Sequence, residues 1–443
     1  MMWTKKTRGM NMDIALTLSV FLGVLIFLFI IGVSIPWAIG ITSAIVLIMQ
    51  NGITNIPYHT MVQKMTAGVN NFTLLAIPFF LLAGKLMNTG SITRKIFRFC
   101  NALVGWIPGG LGHANVLASI VFAGMSGSAV ADASGLGTIE IEAMNNEGYD
   151  VEFSAAITAA SSNIGPIIPP SIPLVVFGVA GGVSITKLLV SGIIPGLLMG
   201  IALMVMVYYY AIKRNYPRRK FPDLKEFFKL FKDAFFPLLT PIILIGGILS
   251  GIFTATEAAA VASLYAFILT YFVYKEMDMK QFLEICREVV KETSSILIIV
   301  AASSLYGYLL IKTRIPNQLM ELIFEFTQNK YVVLMLLNLF LLVVGCFMET
   351  NSAIMILAPI ILPMTTALGI DPVHIGLVMV LNLCIGLLTP PIGMCLYATA
   401  RVAKISVDTM IKAIIPFYIP LSIVLLLITF IPQLVTWLPS LIR

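Results

Sequence analysis

The sequence predicts an all-α, polytopic membrane protein with two inverted-topology repeats, about ten spanning helices and two re-entrant helical hairpins. Three observations support this fold class. Of the 443 residues, 59% are hydrophobic and 11% are charged, and the mean hydropathy is +0.98, whereas a soluble domain carries roughly 25% charged residues. Many apolar runs reach the ~20 residues that span the hydrocarbon core of a bilayer. Glycines and prolines that interrupt these runs recur at a fixed spacing in both halves of the chain.

The charge and motif content exclude several classes of protein. A net charge of +7 would suit a nucleic-acid partner, but the basic residues lie in short loops between apolar runs, as the positive-inside rule expects. We therefore expect the lipid bilayer as a partner and no nucleic acid. The five cysteines form no CxxC pair, which favours small core residues over a metal site or disulfides. No HExxH, GxSxG or P-loop motif is present, so the sequence predicts no enzyme.

The first repeat is predicted at 13–211, after a tail at 1–12. The first apolar run has no small-residue cleavage site behind it and is expected to be a retained span. Spans are predicted at 13–31, 36–50, 72–89, 151–183 and 187–211, with a polar connection at 51–71. The span at 151–183 is broken at Pro166–Pro170.

An apolar run at 112–146 is interrupted in its centre by Ser126–Asp132. It could be one span followed by a loop. We favour a re-entrant hairpin, in which two half-membrane helices meet at this polar tip, because a broken helix in hydrocarbon needs protein, water or a ligand to satisfy its backbone.

A basic linker is predicted at 212–234. Its apolar residues recur at helical spacing, which favours a helix that lies in the membrane interface; they are Phe221, Leu224, Phe227, Phe228 and Phe231. The second repeat, 235–438, is predicted to follow the plan of the first, and a tail at 439–443 follows it. Its segments are spans at 235–251, 256–274, 293–311 and 411–438, an interfacial stretch at 276–292, a hairpin at 331–368 interrupted by Met348–Ser352, and a span at 373–403 broken at Leu388–Pro391.

Residues 221 positions apart indicate an internal duplication. The matched pairs are Gly124 with Gly345, Gly148 with Gly369, Asp150 with Asp371, Gly165 with Gly386, Pro169-Pro170 with Pro390-Pro391, and Ile193–Pro195 with Ile414–Pro416. Five crossings plus a hairpin in each half would invert one repeat relative to the other. The basic clusters at 94–98, 213–232, 275–291 and 401–412 then share one face, which we expect to be cytoplasmic. Both termini would lie outside, an orientation that Lys5, Lys6 and Arg8 oppose.

The interruptions carry the oxygen-rich groups that a sodium ion needs. Hydroxyls, side-chain amides and the free carbonyls of unwound helices supply ligands for such a cation, while half-helix N-termini suit an anionic substrate. The first cluster offers Ser126, Ser128, Asp132 and Asn163 with carbonyls around Gly165, and the second offers Glu349, Thr350, Asn351, Ser352 and Thr389 with carbonyls around Gly386. Single hydroxyls in membrane helices usually bond back to their own backbone. Acids, amides and hydroxyls that coincide with helix breaks in both halves favour a binding site instead.

Four motifs together resemble the large membrane subunit of tripartite ATP-independent periplasmic (TRAP) transporters. They are Gly124–Asp132, Asn163–Ser171, Gly251–Glu257 and Leu388–Gly393, and the likeness extends over nearly the whole chain from about residue 13. The resemblance implies a bacterial inner-membrane secondary transporter, driven by sodium, that imports an organic acid such as sialic acid or a C4-dicarboxylate. It also implies an elevator-type fold, in which a mobile domain of hairpins and broken helices moves against a scaffold.

The resemblance also implies residues and partners. Sodium site 1 would comprise Ser126, Ser128, Asn163 and Gly165, and sodium site 2 would comprise Glu349, Thr350, Asn351, Gly386 and Thr389. We expect the substrate at Ser126, Asp132, Pro170, Ser171, Ser352 and Pro391, with no organic cofactor. The implied partners are a small four-helix (Q-type) membrane subunit and a soluble periplasmic (P-type) substrate-binding protein. Because no apolar four-span segment precedes residue 13, we expect the small subunit to be a separate chain.

Three alternative functions stay open at this point. A two-component sodium/divalent-anion symporter would have a similar hairpin plan but no binding protein. A sodium/proton antiporter would exchange protons at Asp132 or Glu349. A membrane-embedded enzyme would require a catalytic motif that the sequence does not show.

Overall fold

The computed structural model describes residues 14–88, 90–327 and 329–442, and in these ranges it is built from helices without a β-strand. Seven of the described helices are long and apolar enough to cross a membrane. An eighth crossing is formed if Tyr58–Val69 and Phe72–Met87, which are bent by 52° at the break between them, count as one span. The predicted all-α, polytopic fold class is therefore confirmed. Residues 1–12, with Lys5, Lys6 and Arg8, lie outside the described ranges.

The helices of the first half follow one another closely. They are α1 (Ile14–Ile30), α2 (Ile35–Asn51), α3 (Tyr58–Val69), α4 (Ala76–Met87), α5 (Gly90–Val104), α6 (Gly110–Ser126), α7 (Ala129–Ser134), α8 (Leu136–Asn146), α9 (Val151–Ser162), α10 (Ile172–Gly181), α11 (Ile185–Ser191) and α12 (Ile193–Arg214). Short 3₁₀ turns at Ile53–Asn55 and Phe72–Leu75 lie beside α3.

The second half begins with long helices and ends with short ones. Its helices are α13 (Leu224–Leu249), α14 (Ala255–Ile268, continued by a π-helical turn at Leu269–Val273), α15 (Met279–Lys312), α16 (Ile315–Phe326), α17 (Lys330–Phe347), α18 (Thr350–Ala367), α19 (Pro372–Gly386), α20 (Met394–Ala403), α21 (Val407–Ile414), α22 (Tyr418–Phe430) and α23 (Gln433–Ser440).

The sequence predicts interfacial segments at 212–234 and 276–292 that are separate from the spans that follow them, and the structure differs at both places. The helical part of the basic stretch continues without a break into the next span as α13, and 276–292 continues in the same way as α15. Pro237 and Pro241 lie inside α13, beyond the predicted boundary at 234/235. No glycine or proline separates charged from apolar residues at either predicted boundary, so nothing stops the helix there.

Three further segments differ from the sequence prediction. The polar connection at 51–71 contains α3, whose Met61, Met65 and Val69 pack at four-residue spacing against the core. Helix α16 follows α15 in a stretch to which no span was assigned. The last predicted span is divided near Pro432 into α21–α22 and a separate α23. In each case the amphipathic or short segment is held by packing against neighbouring helices, which the sequence pattern does not reveal.

The basic segments predicted to share one face do come together in space. The Lys95 ammonium lies 3.9 Å from Glu276 and 3.6 Å from the centre of the Tyr274 ring. The Arg219 amide donates to the carbonyl of Gly105 at 2.9 Å. The segments near 94–105, 213–232 and 274–276 thus form one end of the molecule. That this end is cytoplasmic stays a prediction.

Residues 221 positions apart share backbone roles. Gly148 and Gly369 both have positive φ, at 85° and 72°. Asp150 and Asp371 both precede a helix in an extended conformation, at the starts of α9 and α19. Both of these helices are then broken near a proline pair. The correspondence supports the duplication, while the opposite orientation of the two repeats stays a prediction.

Lys85 links α4 to α15. Its ammonium lies 3.0 Å from a carboxylate oxygen of Glu288 and 2.7 Å from one of Glu292. These two acids are four residues apart and therefore lie on one face of α15. The sequence suggests only that Lys85 snorkels, because the partner helix lies more than 200 residues away.

Lys85→Met is expected to lower the melting temperature of the purified protein by about 1–2 °C, because two partly exposed ion pairs are worth about 0.2–1 kcal/mol each. Differential scanning fluorimetry at low salt measures this shift. Lys187→Met is the matched control, since Lys187 is exposed and forms no ion pair among the described residues. Equal shifts in both variants would contradict the assigned role, and high salt is expected to reduce the difference.

Candidate ion and substrate site

The first hairpin is broken at its predicted polar tip. Helix α6 ends at Ser126, and Gly127 adopts φ 63°, a left-handed conformation that glycine reaches without steric cost. Ser128 then caps α7, because its hydroxyl accepts a hydrogen bond from the amide of Ala131 at 3.4 Å. The amide of Ser128 donates to the hydroxyl of Ser126 at 3.4 Å. The interruption predicted at Ser126–Asp132 is therefore present, with Asp132 on α7.

The helix after the first hairpin is broken over a longer stretch than predicted. Helix α9 ends at Ser162 and α10 starts at Ile172, so that nine residues separate them. Ser171 caps α10 by accepting from the amide of Leu174 at 3.2 Å, and its hydroxyl donates to the carbonyl of Pro166. Prolines within the break cannot donate backbone hydrogen bonds, so a continuous helix is not possible there.

The tip of the first hairpin packs directly on this break. A Cβ atom added to Gly127 would lie 2.4 Å from the carbonyl oxygen of Pro170. A Cβ atom on Gly165 would lie 2.5 Å from Oδ2 of Asp132 and 3.5 Å from the carbonyl carbon of Ser128. The structure thus brings these residues of the first predicted cluster together, and it uses glycines where the backbones approach.

The second half repeats this arrangement. Helix α17 ends at Phe347, and Glu349 caps α18 by accepting from the amide of Ser352 at 2.9 Å. A Cβ atom on Gly386, the last residue of α19, would lie 2.4 Å from the carbonyl carbon of Gly345 in α17. The amide of Ile392 donates to the carbonyl of Cys346 at 3.2 Å. The second break is therefore packed against the end of α17, close to the interruption at Met348–Ser352. Because α17 and α18 are each long and apolar enough to cross a membrane, the re-entrant form of this hairpin stays a prediction.

The two breaks also contact each other. The side-chain amide of Asn163 donates to the carbonyl of Cys384 at 2.8 Å, and these residues are 221 positions apart, the offset between the repeats. Helix α20 packs against α7, α8 and α9, and α10 packs against α18 and α19. We call this region, formed by 126–132, 163–171, 348–352 and 386–393, the polar seam.

Four buried oxygen atoms in the polar seam have no hydrogen-bond partner. They are Oδ2 of Asp132, Oδ1 of Asn163, Oγ1 of Thr350 and Oδ1 of Asn351. Buried polar atoms are normally satisfied, and an unsatisfied one costs about 1–3 kcal/mol. Two of these oxygens come from each half of the chain. Together they form an acceptor-rich region that a small cation would complete.

The type of these ligands indicates a hard cation. Carboxylate, amide and hydroxyl oxygens suit hard cations, whereas sulfur and imidazole groups suit zinc and copper. Among the described residues, no group of three or more His, Cys, Asp or Glu is arranged to hold a metal ion. In the same ranges, neither Asp132 nor Glu349 forms an ion pair with a basic residue. The seam therefore offers oxygen ligands without a competing protein cation.

Other predicted site residues have partners of their own. Glu349 is engaged by the hydroxyl of Ser352 at 3.0 Å and by the side-chain amide of Asn351 at 2.8 Å. The hydroxyl of Thr389 donates to Ile385 one turn earlier at 3.2 Å, which is the ordinary back-bonding of a membrane hydroxyl. Pro391 accepts from the Tyr397 hydroxyl at 2.9 Å. Ligand roles for Glu349, Thr389 and Pro391 stay predictions.

Sequence reasoning missed a set of amides next to the seam. The side chain of Asn382 on α19 donates to Oδ1 of Asn338 at 2.9 Å, while its own Oδ1 is buried without a partner. Asn338 in turn donates to the Thr429 hydroxyl at 3.0 Å. The repeat offset of 221 residues is the signal that could have found Asn382. Asn382 matches Ser161 at this offset, and the Ser161 hydroxyl donates to Asn115 at 2.8 Å in the first half.

Ser128→Ala or Asn351→Ala is expected to raise the sodium concentration that gives half-maximal uptake by up to about tenfold, because one lost ligand of ~1.4 kcal/mol corresponds to that factor. Uptake by reconstituted protein over a range of sodium concentrations measures it. Ser134→Ala is the matched control, since the hydroxyl of this exposed serine bonds back to the carbonyls of Val130 and Ala131 in the preceding turn. Unchanged sodium dependence in both seam variants would remove the site assignment.

Comparison with known proteins gives the family. The chain matches the family model described as "Tripartite ATP-independent periplasmic transporter, DctM component" over residues 22–434. The chain belongs to this family. It is thus a TRAP permease, a multi-pass protein of the bacterial inner membrane and a transporter component rather than an enzyme.

Individual relatives cover most of this TRAP permease. It is 47% identical to the sialic acid TRAP transporter large permease protein SiaM of Vibrio cholerae, over 86% of this chain and 89% of the relative. It is 39% identical to the sialic acid TRAP transporter permease protein SiaT of Haemophilus influenzae, over 99% of this chain and 71% of the relative. The C4-dicarboxylate permease DctM of Vibrio cholerae is 36% identical over 97% and 98% of the two chains.

A solved structure shares the fold. The YdaH transporter of Alcanivorax borkumensis superimposes with a TM-score of 0.62, covering 84% of this chain and 87% of the other, at 14% sequence identity. At this identity the likeness shows the fold alone. The similarity supports the helical membrane fold of the TRAP permease.

Proposed function

We propose that this TRAP permease imports an organic acid anion into the cell and that an inward sodium gradient drives the import. The observation that carries the proposal is the set of four unpartnered buried oxygens where the two helix breaks meet. Such intramembrane polar groups are expensive unless they pair with each other or bind an ion or substrate. The names of the relatives, which include sialic acid and C4-dicarboxylate permeases, support a carboxylate as the substrate class.

The two sodium sites would lie on the two sides of the seam. Site 1 would use oxygens around Ser128, Asn163 and Gly165, and site 2 would use oxygens around Asn351 and Gly386. Sodium at these positions neutralises the acceptor-rich seam and fixes the hairpin tips against the breaks. Substrate affinity then depends on sodium, and by reciprocal linkage sodium affinity depends on substrate.

The substrate carboxylate would bind at helix N-termini beside the sodium ions. Ser171 and Glu349 show where α10 and α18 begin, and free amide groups and the helix dipole favour an anion at such ends. The candidate contacts are Ser126, Asp132, Pro170, Ser171, Ser352 and Pro391. A positive sodium ion next to the carboxylate lowers the cost of bringing the anion into the membrane interior.

The transport cycle would be of the elevator type. Residues 13–211 and 235–438 would form the inverted repeats, and their hairpins and broken helices would move as one body against the scaffold spans. A soluble periplasmic substrate-binding protein would deliver the anion at the outer face, and a small four-helix subunit would complete the membrane complex. Membership of a tripartite family favours this arrangement over a two-component symporter.

Uptake into proteoliposomes tests the proposal. The permease is reconstituted with the small subunit, and the binding protein is added outside with radiolabelled N-acetylneuraminate or, in parallel, succinate. An inward sodium gradient is expected to drive accumulation of one of these anions, and an equal potassium gradient is not. Accumulation that is independent of sodium, or sodium flux without substrate, would contradict the proposal.

A further inference from the structure

A second set of buried polar side chains lies inside the first hairpin, apart from the sodium ligands proposed above. The side-chain amide of Asn115 on α6 donates to the hydroxyl of Thr158 on α9 at 2.7 Å, and its oxygen accepts from Ser161 at 2.8 Å. The same amide nitrogen lies 4.0 Å from the sulfur of Met144 on α8. The Cγ2 methyl of Thr158 would lie 2.7 Å from a Cβ atom on Gly137 of α8, so α8 and α9 approach closely there. Helices α6 and α9 are thus joined by hydrogen bonds, and α8 packs closely against them.

Glu140 on α8 is a buried acidic residue in the interior between these helices. Its side chain is 1% exposed, and Oε1 has no hydrogen-bond partner. None of the ion pairs among the described residues includes it. An unpaired charge in such a position costs several kcal/mol even after the protein relaxes, so the carboxyl group must be neutralised by something other than a basic side chain.

Ser161 matches Asn382 at the offset of 221, but Glu140 itself has no acidic counterpart in the second half of the chain. Position 361, which is 221 residues after Glu140, is Ile361, and the positions that match His113, Asn115 and Thr158 are Leu334, Leu336 and Met379. The polar seam, by contrast, has oxygen-bearing residues in both halves. Glu140 therefore serves a purpose that the duplicated sites do not share.

The charged and titratable groups around Glu140 supply no neutralising cation. The Glu140 carboxyl group interacts electrostatically with Asp132 on α7 and with the Cys100 thiol on α5. Both ring nitrogens of the buried His113 on α6 lack a partner. The remaining titratable residues on the elements that pack against α8 are Arg94, Lys95 and Arg98 on α5, Glu152 on α9, Cys395, Tyr397 and Arg401 on α20, and Glu142 on α8 itself.

A water-accessible cleft reaches the neighbourhood of Glu140. The cleft has a volume of about 450 Å³ and is lined by Ile139 and Ala143 of α8, by Leu111 of α6, and by Arg94 and Arg98. Ile139 is adjacent to Glu140 in the chain. The cleft and the buried carboxyl group therefore lie on neighbouring sides of the same helix, α8.

We propose that Glu140 binds a proton and that the protonated hairpin is the form that carries out uptake. A metal ion needs several oxygen ligands, but Oε1 of Glu140 has no hydrogen-bond partner and no basic side chain pairs with the carboxyl group among the described residues. A proton needs no such shell and removes the charge. Loss of the proton leaves a buried carboxylate without a counter-ion, which opposes movement of the hairpin through the membrane. Uptake is then high at low pH and declines as the pH rises through the titration of this carboxyl group.

The inference rests on the proposed function, so the experiment measures sodium-driven uptake by the reconstituted transporter. The pH is kept equal on both sides of the membrane and is varied from 6 to 9. The wild type is expected to lose rate as the pH rises, by about tenfold for each pH unit above the titration of this carboxyl group, as expected of one required proton. Glu140→Gln, which stays neutral, is expected to keep its rate to within about twofold. Glu152→Gln is the control, because Glu152 is exposed on the neighbouring helix α9 and does not line the cleft; it is expected to behave like the wild type.

The outcomes separate this inference from the function on which it rests. Absence of sodium-driven uptake in the wild type at every pH contradicts the proposed function. Sodium-driven uptake with the same pH profile in the wild type and Glu140→Gln contradicts the proton site alone. Glu140→Met, a neutral residue of similar volume, is the second variant. If both neutral variants fail to give a monodisperse protein, the carboxylate is needed in its charged form, which also overturns the inference.

Discussion

Gly386→Ala is expected to reduce sodium-driven uptake at least about 100-fold, the scale of loss that follows when site groups are displaced by about 1 Å. The new methyl group would lie 2.4 Å from the carbonyl carbon and 2.5 Å from the Cα atom of Gly345. Both atoms are backbone, so no side-chain rotation relieves the clash. Helices α17 and α19 must move apart, and the second break then leaves the tip of its hairpin. Uptake by proteoliposomes measures the loss.

Gly40→Ala is the matched control for this prediction. Gly40 lies in helix α2, and an added Cβ atom meets nothing within 4 Å. The control is expected to keep full uptake and to be as stable as the wild type or slightly more so, because alanine favours a helix by up to ~1 kcal/mol over glycine. Wild-type sodium dependence in Gly386→Ala would show that the close approach of α17 and α19 is not needed for the site.

Asn163→Ala is expected to weaken sodium-dependent uptake by about tenfold or more. The change removes the 2.8 Å hydrogen bond to the carbonyl of Cys384, which is a direct polar bond between the two breaks, and it removes one of the four unpartnered oxygens. The carbonyl of Cys384 keeps the hydrogen bond from the amide of Leu387 at 3.0 Å, so the lost side-chain bond costs about 0.5–1.5 kcal/mol. A cost of ~1.4 kcal/mol corresponds to a factor of ten, and loss of the candidate ligand oxygen adds to it. The half-maximal sodium concentration and the maximal uptake rate are measured together.

Asn51→Ala provides the comparison for Asn163. The side chain of Asn51 also donates to a carbonyl, that of Leu47 at 3.0 Å, but at the end of helix α2. Its loss is expected to leave sodium dependence unchanged. If Asn163→Ala resembled Asn51→Ala in both measured quantities, the contact between the breaks would be structural and would carry no part of ion binding.

The positions of the helix breaks could be predicted from the sequence because the causes are local. Clustered prolines near residue 169 disfavour a helix, Gly127 permits the left-handed turn between α6 and α7, and Ser128 and Ser171 are typical caps. The spacing of 221 residues indicates the second set of breaks. These features predicted all four interruptions, and the structure brings the two clusters into contact through Asn163 and Cys384.

Partners that are distant in the chain could not be predicted. Lys85 forms ion pairs with Glu288 and Glu292 on a helix about 200 residues away, and no local sequence pattern indicates these ion pairs. The carboxylate of Glu349 looked like an ion ligand in the sequence, yet in the structure it caps α18, because the amide of Ser352 lies in the first turn that follows. The burial of Glu140 depends on α5, α6 and α9 packing around α8, which no local pattern indicates.

The melting temperature of the purified permease as a function of sodium tests most directly whether the polar seam binds sodium. A ligand that binds the folded state alone stabilises it by RT ln(1 + [L]/Kd), about 2.7 kcal/mol at one hundred times Kd. Sodium chloride, compared with potassium chloride at equal ionic strength, is expected to raise the melting temperature of the wild type and of Gly40→Ala, but not of the double variant Asn163→Ala/Gly386→Ala. An equal effect of the two salts on the wild type, or an undiminished sodium effect on a folded double variant, would contradict the account.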